Sequence, residues 1–119
     1  MAKIVVTSRA MRDFREIESY SVEQWGRRTA DKYLADFEAA LVRIEQSPDL
    51  LRAEPDVAPC LRFHRVGRHF LVCDVVDETI YLLTVIHCAM DLPARLGELQ
   101  PTLHEEAELL HRRLKRNGS

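Results

Sequence analysis

Residues 61–87 read LRFHRVGRHFLVCDVVDETIYLLTVIH. Two short polar breaks, Gly67-Arg68 and Asp77-Glu78, divide the stretch into three runs, Leu61–Val66, His69–Val76 and Thr79–His87. β-Branched and aromatic side chains dominate all three, which is the composition of strands. Connections of two residues force each strand antiparallel to the one before, so the stretch predicts a three-stranded meander. In the middle run Leu71, Cys73 and Val75 alternate with Phe70, Val72 and Val76. Both faces of that strand are apolar, so it is expected to be central, with a cover on each side.

Upstream segments offer one cover. Lys3–Thr7 is a short β-branched run, expected as an edge or starting strand. Ser8 is placed to cap a helix over Arg9–Trp25, on which Met11, Phe14, Ile17 and Ser21 recur at helical spacing. Gly26 can adopt the left-handed conformation that stops a helix. A second helix is expected over Arg28–Gln46, with Ala30, Tyr33, Leu34, Phe37, Leu41 and Ile44 as its core stripe. Pro48 ends it, because the residue before a proline is pushed out of helical geometry. The one-residue link at Gly26 makes the two helices an antiparallel hairpin. Residues 48–59, with three prolines, are expected as a loop.

Downstream, Asp91 is a natural cap before a short helix over Leu92–Leu99, with Pro93 in its first turn. After Pro101, Thr102 and Glu105 have capping-box spacing for a last helix, Leu103–Lys115, on which Leu103, Ala107, Leu110 and Leu114 share a face. The expected fold class is α+β: an N-terminal strand, an antiparallel helix hairpin, a three-stranded antiparallel meander completing a small sheet, and a C-terminal helical tail. Residues 1–98 are expected as one domain and 99–119 as a helical extension.

Of 119 residues, 46% are hydrophobic, enough for one ordinary core and against global disorder. Lys and Arg number 17 and Asp and Glu 19, so the net charge of -2 supplies no global field toward nucleic acid. Cys60, Cys73 and Cys88 are odd in number and lack CxxC spacing. A disulfide framework or zinc site is therefore not expected, and a reducing cytoplasm suits the chain. There is no run of 18 apolar residues for a membrane span. His104-Glu105-Glu106-Ala107-Glu108 is not the HExxH metal motif, and His104 and His111 lack a third ligand. The chain is expected to work without cofactor or metal.

Several stretches resemble a known family. Arg12 to Ser21, leading into Trp25-Gly26, resembles the first helix of ParE-type toxins of the ParE/RelE superfamily, and Ala30 and Tyr33-Leu34 fit the second. Leu61-Arg62 followed by Arg65-Val66-Gly67-Arg68-His69 resembles the turn between the family's central strands. Val85 to Asp91 is similar to its closing strand, where His, Met and Asp recur at the spacing of His87, Met90 and Asp91. The resemblance covers about residues 3–96. Two features depart from it: Cys73-Asp74 stands where the family tends to be aromatic, and the tail after Leu96 is longer. The resemblance implies a toxin of a type II toxin–antitoxin system that inhibits DNA gyrase and is silenced by a bound antitoxin. A homodimer or a toxin–antitoxin hetero-oligomer is the implied assembly. In the superfamily's RelE branch the corresponding activity is a ribosome-dependent mRNA endoribonuclease.

Arg62, His64, Arg65, Arg68 and His69 form the densest basic cluster. They suit an anionic contact surface, or equally a solvated strand face whose arginines pair with carboxylates. With His87, the residues Arg62, Arg65, Arg68 and His69 are the expected target-binding set. For the nuclease alternative, Arg65 and Arg68 would stabilise phosphate charge while His87 served as general base. The plainer role for His87 is to fix the strand end through a backbone hydrogen bond. Tyr20 and Trp25 are the expected antitoxin contacts. Trp25 either packs the hairpin against the sheet or stands exposed as a protein-binding anchor.

Overall fold

The computed structural model describes residues 2–54, 58–89 and 105–114. Strand β1 (Lys3–Val6) leads into helices α1 (Ser8–Trp25) and α2 (Arg27–Gln46). A single 3-10 turn, Pro48–Leu50, connects to β2 (Arg52–Glu54), and β3 (Ala58–Val66), β4 (His69–Val76) and β5 (Thr79–His87) follow. Residues 105–114 form a further helix, α3. The architecture is α+β, as expected.

Helix α1 begins one residue earlier than expected. Ser8 is already helical, and the cap is Thr7, whose extended backbone lets its hydroxyl accept from the Ala10 N–H at 3.2 Å. Such a cap contributes about 1 kcal/mol. The same hydroxyl stands 3.0 Å from the carbonyls of both Leu82 and Leu83, tying the helix start to β5. Gly26, at φ +93°, closes one helix and opens the next: its N–H donates to the Val22 carbonyl and its own carbonyl accepts from Ala30. No side chain takes that φ readily.

The sheet order is β1-β5-β4-β3-β2, with β1 parallel to β5 and the other pairs antiparallel. Strand β2 lies in the segment expected as a loop. Its three residues are all exposed, so no apolar alternation marks them; pairing to β3 alone makes them a strand. Strand β4 is central. On the hairpin side, Leu71 and Cys73 join Ile17, Phe37, Ile44, Ile80 and Leu82 in one cluster. On the other side, Phe70, Val72 and Val76 join Leu61, Phe63, Tyr81, Leu83 and Ile86. Ala107, Leu110 and Leu114 of α3 cover this second face. Polar ties complete the docking: Arg9 to Glu106 at 3.0 Å, and His111 to the Tyr81 hydroxyl at 2.6 Å and the Asp77 carboxylate at 3.1 Å.

Two core expectations fail. Met11 and Val75 are each 44% exposed. Ala10 takes the core position on α1, and Val75 falls near the end of β4, beyond the buried part of the strand. The expected helix over Leu92–Leu99, its Asp91 cap and the Thr102 capping box lie outside the described residues.

The β4–β5 ladder contains a bulge. Val72 pairs with Thr84 but Cys73 pairs with Leu82, so Leu83 has no partner. An extra residue inverts the alternation beyond it. Leu82 and Val85 therefore both face the hairpin, while Leu83 and Ile86 face α3. Asp13 of α1 holds the bulge: its Oδ2 accepts from the Thr84 hydroxyl at 2.5 Å and the Val85 N–H at 3.0 Å.

Candidate functional site

Because of that inversion, His87 emerges on the hairpin side, opposite His69 across the β4–β5 pair. The two rings meet edge to face with centroids 5.0 Å apart. Between them and the helices runs an open cleft of about 660 Å³. Tyr20, Trp25 and Lys32 line the helical wall; Arg68, His69 and His87 line the sheet wall.

Tyr20 and Trp25 pack edge to face at 5.8 Å and remain 56% and 52% exposed. Trp25 is thus an exposed aromatic at the hairpin tip. A pair of large aromatics left in water is the composition of a protein-contact anchor rather than of a core.

The cleft floor is organised by Tyr33. Its hydroxyl lies 3.1 Å from the Val66 carbonyl, 3.1 Å from the Arg68 N–H and 2.7 Å from His69 Nδ1. A phenol has one proton to donate. All three contacts form together when that proton goes to the Val66 carbonyl and His69 carries its own proton on Nδ1, donating to the phenol oxygen. This tautomer, assigned from the hydrogen-bond count, leaves His69 Nε2 as an acceptor. Burial and the neighbouring His87 lower the His69 pKa to about 4, so the ring is neutral at physiological pH. Burial likewise raises the Tyr33 phenol. Gly67, at φ +57°, permits the contact: a Cβ there would sit 2.7 Å from Tyr33 Cε1.

His87 Nδ1 accepts the Ala89 N–H at 2.9 Å, and the Cys88 N–H donates to the Arg68 carbonyl at 2.8 Å. The strand end and the Arg68 turn are therefore fastened to each other. Arg65 and Arg62 stand outside the cleft. Arg65 faces the other side of the sheet with Phe70; its Nε donates to the Gly67 carbonyl at 2.9 Å and its guanidinium lies 5.9 Å from the Phe70 ring centre. Arg62 pairs with Cys73 and is half-buried. The basic cluster of the sequence is thus divided: strand alternation turns Arg65 to the opposite face, and Arg62 lies further along β3, beside Cys73. Arg68, His69 and His87, expected as target contacts, share the cleft with Tyr20 and Trp25, expected as antitoxin contacts.

Three acids, Asp13, Glu16 and Asp36, line the cleft against Lys32 and Arg68. That balance does not suit a phosphate backbone, whose binding rests on uncompensated positive charge. An apolar floor with mixed charges at its rim suits a protein segment. Among the described residues no cluster of His, Cys, Asp or Glu could hold a metal, and no helix is long and apolar enough to cross a membrane.

Sequence reasoning missed two site residues. The Tyr33 hydroxyl was detectable in principle, because a tyrosine in a core stripe must find a polar partner for its tip. Asp13 carries no signal, since its partners lie 71 and 72 residues away in β5.

Residues 4–92 match the family model for the ParE toxin of type II toxin–antitoxin system, parDE. A Toxin ParE of Escherichia coli is 26% identical over 99 residues, which are 82% of this chain and 96% of that protein. A Toxin ParE1 of Mycobacterium tuberculosis is 28% identical over 96 residues, 80% of this chain and 98% of the relative. Among solved structures, the chromosomal ParDE system from P. aeruginosa superposes with a TM-score of 0.65 at 19% identity, covering 73% of this chain and 96% of the other. The RelBE2 toxin–antitoxin complex of Mycobacterium tuberculosis gives 0.53 at 18% identity, covering 72% and 96%. At those identities the superpositions speak to the fold.

Proposed function

Because this chain belongs to the ParE toxin family of type II toxin–antitoxin systems, we propose that it inhibits DNA gyrase and is neutralised by a cognate antitoxin. The observation that carries the reading is the cleft, in which the exposed Tyr20–Trp25 pair faces Arg68, His69 and His87 across an apolar floor. Its mixed rim charges favour a protein partner over bare nucleic acid. The antitoxin would supply a flexible segment that folds onto the helix hairpin and the sheet edge, a coupled folding and binding mode. Both encounters would take place in the cytoplasm, and the silenced form would be a toxin–antitoxin hetero-oligomer.

The nuclease alternative needs Arg65, Arg68 and His87 to converge on one scissile phosphate. Arg65 is folded back onto its own turn on the opposite face, and His87 uses Nδ1 to hold the Ala89 N–H. His69, with a pKa of about 4, is a weak base at neutral pH. These features support the non-enzymatic reading.

The test is a supercoiling assay with antitoxin-free, folded chain and purified gyrase. Loss of supercoiling with trapped, cleaved DNA is expected. Full gyrase activity at large molar excess would overturn the reading, and cut messages on ribosomes would replace it with the nuclease.

A further inference from the structure

We propose that Tyr33 is the positioning residue of the site, its single hydroxyl setting where Arg68 stands relative to the helix hairpin. This inference rests on the cleft being the target-contact surface.

The β3–β4 turn that carries Arg68 is exposed, and a free two-residue turn at a strand end moves readily. Here it is moored to α2. The Tyr33 hydroxyl accepts from the Arg68 N–H and from His69 Nδ1 and donates its proton to the Val66 carbonyl, so one group contacts residues on both sides of the turn. The ring itself is fixed independently of that atom. It packs edge to face on Phe37 at 4.9 Å and fills the space left open by Gly67. Removing the hydroxyl therefore leaves the ring in place and frees the turn from α2, while its tie to the strand end through the Cys88 N–H remains. A partner seated between Trp25 and Arg68 meets two walls whose separation Tyr33 maintains. Holding a contact residue in its bound position lowers the ordering cost of association.

The experiment is Tyr33→Phe in the full chain, alone and combined with Arg68→Ala, with two readouts. The first is amide exchange by NMR. Residue 68 keeps its N–H in every variant, and Tyr33→Phe is expected to speed its exchange about tenfold while Val72 in the central ladder is unchanged. Unchanged exchange at residue 68 overturns the proposal, whatever gyrase does. The second readout is potency against gyrase. Tyr33→Phe is expected to weaken inhibition by about tenfold, and by less than about twofold when Arg68 is already alanine. An equally large loss in both backgrounds would mean that the hydroxyl acts on the partner directly or on stability alone, which also overturns positioning. If the wild-type chain leaves gyrase untouched, the proposed target fails, and the exchange measurement still decides whether Tyr33 holds the turn.

Discussion

Replacing Asp13 by alanine tests the device that places His87. In the native chain one carboxylate oxygen serves two donors, the Thr84 hydroxyl and the Val85 N–H, on the bulged segment of β5. Thr84 is 4% exposed, so water cannot readily replace the lost acceptor. A buried donor left without a partner costs about 1–3 kcal/mol. Two adjacent donors that relax together are expected to cost about 3 kcal/mol in total. For a domain of this size that corresponds to a fall in Tm of roughly 10 °C. Asp13→Asn keeps an oxygen and should lose only about 1 kcal/mol. Thr84→Val removes one donor and its bond together and should also cost about 1 kcal/mol. Urea unfolding, followed by circular dichroism, gives the midpoints and slopes. Ring-proton contacts between His69 and His87 in NMR spectra report whether the bulge persists. If Asp13→Ala unfolds within about 0.5 kcal/mol of wild type, or the ring contacts survive undiminished, the carboxylate is not what fixes the bulge.

Acid should weaken the fold through His69. Its folded pKa of about 4 lies below the ordinary 6.5, so the unfolded chain binds a proton that the folded chain refuses between those values. Stability is full above pH 6.5 and falls toward pH 4, by about 1–2 kcal/mol after allowance for the ring's partial exposure. Urea midpoints across that range should show a shallower slope for His69→Gln, and an unchanged slope would exclude the histidine as the cause. Ala107→Asp places a charge where α3 meets the sheet. It should undock the helix and raise fluorescence of an apolar-surface dye several-fold; no rise would mean that α3 does not cover that face in solution. The Cys73 thiol is fully buried, with its pKa pushed up to about 12, whereas Cys60 is exposed. A thiol reagent at pH 8 should therefore modify Cys60 promptly and Cys73 only on unfolding. Prompt reaction of Cys73 would contradict the packing.

Most of the fold was legible because its signals are local. The two turns at Gly67-Arg68 and Asp77-Glu78, the two-sided apolar pattern of β4, the break at Gly26 and the stripe of α2 each follow from residues within a few positions of one another. Strand β2 was not legible, since three exposed residues become a strand only by pairing with β3. Nor was the division of the arginines. Arg65 and Arg68 are three apart in sequence, but Arg65 follows the strand's outward alternation and Arg68 sits in the turn.

The class of fold, the hairpin, the meander and the family resemblance can all be read along the chain, because periodicity and turn chemistry act over short distances. Which residues share the cleft depends instead on packing between distant elements. Strict alternation along Thr79–His87 would put His87 on the face of Tyr81 and Leu83, against α3. One unpaired residue at Leu83, held by a carboxylate from α1, turns it to the hairpin side beside His69. Periodicity read along one strand cannot reveal a phase change imposed by a side chain from another element.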